Sequence, residues 1–113
     1  MHEFSLALEV INLAGREAEK HNARSIQEIS IEVGSLSGVE SDAFESALGL
    51  LVSGSILSNA RISIIRTNGM GRCDVCDDDF EMNQRMAVCP VCHCFPSTIT
   101  GGQEFRVVSL EIE

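Results

Sequence analysis

Long apolar runs and basic residues are both scarce in this chain of 113 residues. Without an uninterrupted apolar stretch of about 18 residues, no membrane-spanning helix is expected. The chain has only 8 lysines and arginines against 17 acidic residues, which gives a formal net charge of −9. Because nucleic-acid phosphates are bound mainly by Lys and Arg, this balance argues against a nucleic-acid partner. With 44% hydrophobic residues, the chain is instead expected to be a globular cytoplasmic protein.

Histidines and prolines are also few. The three histidines are scattered along the sequence at His2, His21 and His93. They do not form the pattern of a general base beside an open metal site, so an enzyme is not expected. Both prolines, Pro90 and Pro96, fall in one stretch that also contains all five cysteines. That stretch therefore has a different construction from the rest of the chain.

Four of the five cysteines form two C-x₂-C motifs separated by twelve residues: Cys73, Cys76, Cys89 and Cys92. Each motif places two thiolates on one face of an ion, and twelve residues suffice for a hairpin that completes a tetrahedron. A closed set of four sulfur ligands suits a structural Zn(II) and leaves no open position for catalysis. Asp77 and His93 follow the second cysteines and tolerate positive φ, which favours a tight turn at the metal. A redox or disulfide pair is the alternative.

The cysteine-containing segment is acidic and is bounded by glycines. Its carboxylates are opposed only by Arg72 and Arg85, and they are Asp74, Asp77, Asp78, Asp79 and Glu81. This run is interpreted as a solvated loop, with a partner-docking surface as the alternative. Gly69-Met70-Gly71 and Gly101-Gly102 are interpreted as hinges. The sequence thus predicts a zinc-ribbon domain at residues 69–102, inserted into a discontinuous α/β domain of residues 1–68 and 103–113.

Apolar periodicity predicts two helices and three strands outside this segment. A helical stripe over residues 5–21 ends near His21-Asn22, and a second helix carries Phe44, Ala47, Leu48 and Leu51 before Gly54. Alternating apolar residues predict strands at 29–33, 62–64 and 108–112, and the apolar stripes, including Val108, Leu110 and Ile112, are expected to be buried against the helices. The expected class is α+β: a small three-stranded mixed sheet with two helices on one face, plus an inserted zinc-ribbon lobe. The first two strands are expected to be parallel and the last antiparallel to a neighbour.

The N-terminal residues Met1-His2-Glu3 offer a second metal site. The amine of Met1, the amide nitrogen of His2 and its imidazole can form consecutive chelate rings around one ion. Such a planar set of nitrogen donors favours Ni(II) or Cu(II) over zinc. Met1 is expected to be retained, because the large His2 disfavours removal of an initiator methionine. An exposed terminal histidine without a ligand role is the alternative.

Short motifs along the whole chain together resemble the HypA/HybF family of hydrogenase maturation proteins. They are Met1-His2-Glu3 with Ser5-Leu6, the turn from Gly34 to Glu40, Gly54-Ser55, Cys89-Pro90 with Cys92-His93, and the closing residues from Ser109 to Glu113. The resemblance implies a nickel metallochaperone that acts with a HypB-like maturation GTPase on the large-subunit precursor of a [NiFe] hydrogenase. It also implies that His2 is the nickel ligand, with the Met1 amine and the Glu3 backbone beside it. A zinc-ribbon adaptor without nickel delivery is the alternative.

Cys94 departs from the family pattern, in which a small residue is more usual at this position. With His93 it supplies two spare donors beside the predicted zinc site. Cys94 is interpreted as a thiol without a metal, because its spacing from Cys92 is less favourable than that of a C-x₂-C pair. Exchange of His93 or Cys94 for one of the zinc thiolates is the alternative.

Overall fold

The computed structural model describes residues 2–82, 87–94 and 98–113. Its elements in chain order are α1 (His2–Lys20), β1 (Ile26–Gly34), α2 (Ser41–Leu51), β2 (Arg61–Thr67), β3 (Gly69–Arg72), β4 (Asp79–Met82), β5 (Thr98–Gly101) and β6 (Phe105–Ile112). The strands form two sheets, ordered β2-β1-β6 and β4-β3-β5. The second sheet lies between β2 and β6 in the sequence, as expected for an inserted lobe.

The first helix is longer at its N-terminal end than the apolar stripe predicted. It begins at His2 rather than near residue 5, so His2 and Glu3 lie in its first turn. Its end agrees with the prediction: Asn22 has φ 54°, and the Ala23 N–H donates to Ala18 O at 2.8 Å. These are the features of a Schellman C-cap, in which Asn is one of the few residues that adopt positive φ at low cost. No helix among the described residues has the length and apolar character needed to cross a membrane.

The larger sheet has the predicted strand directions. The pairing of β1 with β2 is parallel, and that of β1 with β6 is antiparallel. The inward side chains of β1 pack with the buried faces of both helices in one apolar cluster, which includes Ile29, Ile31, Ala14, Phe44 and Leu48. The α+β class, with a mixed three-stranded sheet and two helices, is therefore confirmed.

The last strand differs from the alternation seen in the sequence. That alternation predicted inward side chains at Val108, Leu110 and Ile112. In the structure, adjacent residues of β1 pair with Ser109 and Val107, so Val108 is the extra residue of a β-bulge. Val108 is 50% exposed, whereas Val107 and Leu110 pack against the core. The inward prediction for Val108 was wrong because the bulge reverses the phase of the strand.

The two sheets meet where three glycines bring backbone segments into contact. A Cβ atom on Gly34 would overlap the carbonyl of Gly102, and one on Gly102 would overlap the backbone of Gly69. Gly102 also has φ +87°, which non-glycine residues rarely adopt. The glycines interpreted from the sequence as hinges therefore include two that the fold requires for close packing.

Leu36 extends from the turn after β1 into the smaller lobe. It is buried with Phe80, Met82 and the first cysteine of each C-x₂-C motif. The Leu36 N–H donates to Gly102 O at 2.7 Å, and the Gly69 N–H donates to Ser35 Oγ at 2.8 Å. The lobe thus has a small apolar core that it shares with the rest of the chain. The division into domains 1–68 with 103–113 and 69–102 stays a prediction.

We predict opposite effects on stability for two glycine substitutions. Gly102→Ala should lower the free energy of unfolding by about 2 kcal/mol or more, since it combines positive φ with backbone overlap. Gly15→Ala, in α1 with nothing outside the local helix backbone within 4 Å of the added Cβ, should raise it by about 0.5–1 kcal/mol. Chemical denaturation of the zinc-loaded proteins measures both. Equal stability of the two variants would contradict the close backbone contact described for Gly34, Gly69 and Gly102.

Candidate metal centres

The structure brings together the four cysteines of the two C-x₂-C motifs, here called the thiol cluster (Cys73, Cys76, Cys89 and Cys92). Their sulfur atoms all lie within 4.8 Å of one another. The Cys73 and Cys92 sulfurs are 3.3 Å apart, and the Cys76 and Cys89 sulfurs are 3.6 Å apart. A tetrahedral zinc site with Zn–S bonds of about 2.3 Å has sulfurs separated by about 3.8 Å. The cluster therefore fits a metal such as zinc.

The two C-x₂-C segments fold into knuckles with the same hydrogen bonds. In the first, the Asp77 N–H donates to Cys73 O at 2.8 Å, and the Cys73 N–H donates to Asp78 O at 2.9 Å. The second repeats these bonds at 2.9 and 2.8 Å, with His93 and Cys94 in the places of Asp77 and Asp78. Asp77 and His93 have φ values of 62° and 63°, which confirms the predicted turns. Because the two knuckles have the same backbone geometry, each contributes its pair of sulfurs to the thiol cluster in the same way.

Burial divides each cysteine pair into an inner and an outer thiol. Cys73 and Cys89 are buried, whereas Cys76 and Cys92 are half-buried. The Val91 N–H points at the Cys89 sulfur at 3.4 Å, a contact that stabilises a thiolate. The inner thiols are anchored by the apolar core, and the outer ones complete the cluster near the surface.

The thiols strongly influence one another's ionisation in the absence of a metal. A backbone N–H at Asp78 lowers the pKa of Cys76, but burial and the neighbouring thiols outweigh it and raise that pKa to about 12. A backbone N–H at Cys94 and the Cys73 thiol lower the pKa of Cys92. Negative charge is thus favoured at Cys92 and opposed at Cys76. Because a metal must displace the remaining thiol protons, its affinity for the cluster should fall as the pH falls.

The two proposed spare donors, His93 and Cys94, lie outside the thiol cluster. His93 is exposed in the turn of the second knuckle. Cys94 is half-buried, and its hydrogen bond with the Cys92 thiol raises the pKa of Cys94. Asp78, at the matching position of the first knuckle, accepts a hydrogen bond from the Cys76 thiol at 3.7 Å. Exchange of either spare donor into the cluster stays a prediction.

The second candidate centre is the N-terminal end of α1. His2 is exposed at the first position of the helix, and Met1, the other predicted nitrogen donor, lies outside the described residues. The first N–H groups of an α-helix have no acceptor within the helix. The amide nitrogen of His2 is therefore not engaged in the helical hydrogen-bond ladder, as a metal-binding amide requires.

Glu40 is the residue of this centre that sequence reasoning did not assign. Its backbone N–H donates to Glu3 Oε2 at 3.2 Å, and this bond lowers the pKa of the Glu3 carboxyl. Its carboxylate accepts from the Ala43 N–H at 2.6 Å and caps α2. The position of Glu40 before the second helical stripe was a weak signal, since Asp, Asn, Ser and Thr are the preferred caps. Two carboxylates thus offset the positive N-terminal ends of α1 and α2, which alone would repel a cation.

Comparison with known proteins gives concordant matches over the whole chain. Residues 1–112 match the family model described as HypA, hydrogenase/urease nickel incorporation, metallochaperone. The hydrogenase maturation factor HypA of Parabacteroides distasonis is 37% identical over 113 residues, which cover 100% of this chain and 98% of that protein. The factor of the same name from Dechloromonas aromatica is 35% identical, with 100% of both chains covered.

Solved structures of HypA proteins have a similar fold. The solution structure of the Ni metallochaperone HypA from Helicobacter pylori has a TM-score of 0.65 at 28% identity, and the match covers 97% of this chain and 96% of that one. A second solution structure, of a HypA protein, has a TM-score of 0.67 at 29% identity and covers 100% of this chain and 97% of the other. The resemblance seen in the short motifs is confirmed, and this chain belongs to the HypA family of nickel metallochaperones for hydrogenase maturation.

Proposed function

We propose that this chain binds Ni(II) at its N-terminus and delivers it, as cargo, for the maturation of a [NiFe] hydrogenase. The observation that carries the proposal is the position of His2, exposed in the first turn of α1 beside Glu3, in a chain of the HypA family. The proposed ligands are the imidazole and amide nitrogens of His2 and the amine of Met1, with the Glu3 backbone adjacent. Planar nitrogen donors of this kind favour Ni(II) over zinc.

The proposed nickel site suits a cargo that must be released. His2 is exposed, so a receiving protein can approach its imidazole without opening the apolar core. The Glu3 carboxylate is already held by the Glu40 N–H, which fixes the first turn of α1 against the start of α2. This hydrogen bond positions the first turn of α1, while the imidazole of His2 stays accessible. An accessible set of ligands favours transfer from one protein to another.

The thiol cluster has a different role in this proposal. A Zn(II) held by Cys73, Cys76, Cys89 and Cys92 would join the two knuckles and stabilise the smaller lobe. Four sulfur ligands close the coordination sphere, so this ion would be structural. The chain would then be a cytoplasmic carrier without catalytic residues of its own.

Nickel affinity should depend on Met1 and His2 and not on a histidine elsewhere in the chain. His2→Ala should weaken Ni(II) binding by more than about tenfold, since it removes the imidazole from the chelate. A single glycine added before Met1 should weaken it comparably by moving the amine out of the chelate ring. His21→Ala, which removes the exposed histidine that follows α1, is the matched control and should bind Ni(II) normally.

Calorimetric titration of zinc-loaded protein measures these affinities, and mass spectrometry checks that Met1 is present. Full nickel affinity in His2→Ala would overturn the assignment of this ligand. Unchanged binding by the extended protein would instead favour an adaptor whose function does not depend on its first residues.

The amount of zinc bound per chain should depend on the four cysteines of the thiol cluster and not on Cys94. The wild-type chain should hold about one Zn(II), the number expected of a closed four-thiolate site. Cys76→Ser should lose most of it and disorder the smaller lobe, while the helical circular dichroism signal is largely kept, because a metal site of this kind contributes folding energy. Cys94→Ser is the matched control and should keep its zinc. Loss of zinc from Cys94→Ser would show instead that Cys94 is a ligand.

Delivery requires partners, which we propose to be a HypB-like maturation GTPase and the large-subunit precursor of the hydrogenase. A metal passes between proteins only where donor and acceptor ligands meet, so the GTPase should contact the surface around α1. Glu9 and Arg16 are exposed on this helix, and Glu17 is half-buried, with its carboxylate 3.7 Å from His21 Nε2. These three charges are the proposed docking residues.

Charge reversal tests this surface. The triple variant Glu9→Lys, Arg16→Glu, Glu17→Lys should weaken GTPase binding by about tenfold and slow its association, since charges at the rim of an interface act mainly on association. The matched control is Glu28→Lys, Arg61→Glu, Glu111→Lys, three residues of the same types that lie side by side on neighbouring strands. Surface plasmon resonance with the purified GTPase measures both. Equal affinity for the two triple variants would reject the docking surface.

A further inference from the structure

Two valines occupy equivalent and exposed positions on the knuckles. Val75 and Val91 each immediately precede the second cysteine of their C-x₂-C motif, and they are 71% and 62% exposed. Val88, next to the second knuckle, is also exposed. Single exposed apolar residues are common on protein surfaces. Here, both knuckles have the same backbone hydrogen bonds, so the two valines have equivalent exposed positions beside the thiol cluster.

The first knuckle, which carries Val75, and the strand that follows it are strongly negative. Five carboxylates and one arginine lie between residues 72 and 82, and all five carboxylate residues are exposed. Arg72 contacts Asp77 at 3.5 Å and Asp79 at 3.9 Å, and Arg85 lies outside the described residues. Four thiolates exceed the charge of one divalent ion, so a zinc-loaded cluster would add further negative charge.

We propose that the knuckle face, formed by Val75, Val88 and Val91 with the carboxylates of the first knuckle and the strand after it, docks a protein segment in which apolar side chains are flanked by Lys or Arg. The carboxylates attract the cationic side chains, and burial of the valines against apolar side chains provides the contact that charge alone does not. Nucleic acid lacks such side chains, and its phosphates would be repelled. The proposal assigns to the smaller lobe a binding role that is separate from nickel at the N-terminus.

The dimensions of the knuckles allow one short segment to contact both valines. All cluster sulfurs lie within 4.8 Å of one another, so chain geometry limits the Cα separation of Val75 and Val91 to about 18 Å. Six extended residues span about 20 Å. A hexapeptide is therefore a sufficient probe.

The probe is the peptide acetyl-Lys-Lys-Leu-Val-Lys-Lys-amide, titrated into the ¹⁵N-labelled, zinc-loaded full chain. We expect amide shifts concentrated at residues 73–77 and 88–93, and loss of binding at high salt. Acetyl-Lys-Lys-Ser-Ser-Lys-Lys-amide, which has the same charge, should bind about fivefold more weakly. Shifts spread over all acidic regions, equal binding of the two peptides, or no shift would overturn the proposal and leave the carboxylates as a solvated loop.

Substitutions on the protein provide the second test. Val75→Thr with Val91→Thr preserves side-chain shape and should weaken binding of the leucine-valine peptide about fivefold, whereas Val108→Thr, a 50% exposed control on β6, should not. Zinc content verifies that the knuckles are intact. Asp74→Asn with Asp77→Asn is an independent variant, because Asn tolerates the positive φ of Asp77, and it should weaken binding at low salt. Unchanged affinity in either double variant would refute a combined apolar and charged surface.

Discussion

Backbone contact among Gly34, Gly69 and Gly102 is the constraint on which both sheets depend. These residues end β1, begin β3 and follow β5, so three segments far apart in sequence meet at one point. Only residues without a side chain allow this approach, and Gly102 must also adopt positive φ. Leu36 then enters the core of the smaller lobe directly beside the junction. The relative placement of the two lobes follows from backbone packing and not from a flexible linker.

The junction also connects both candidate metal centres to the same framework. From Gly69, β3 leads directly to the first knuckle, whose inner thiol is buried against the shared apolar core. From Gly34, the turn leads to Glu40, which holds Glu3 by its backbone N–H and caps α2 with its carboxylate. One centre is enclosed by four sulfurs, and the other lies at an exposed helix end. This contrast fits the division proposed above between a retained Zn(II) and a transferred Ni(II).

Charge has a consistent function across the molecule. At the N-terminus, the carboxylates of Glu3 and Glu40 offset two positive helix ends and make the region compatible with a cation. At the first knuckle, exposed carboxylates flank the exposed Val75, and the exposed Val91 has the matching position in the second knuckle. Acidic residues thus lie at both regions proposed here to meet a metal or a partner. A negative surface of this kind selects cationic partners and speeds their association.

The sequence by itself determined the local features: the helical stripes, the three strands of the larger sheet, the C-x₂-C spacing and the positive φ of Asp77 and His93. Each depends on residues close together in the chain, whose geometry is set by backbone sterics and side-chain periodicity. Only the tertiary structure decided the bulge at Val108, the packing role of Gly102 and the contact between Glu3 and Glu40, residues 37 positions apart. These features arise where distant segments meet, and a local pattern carries no information about which segment will lie opposite.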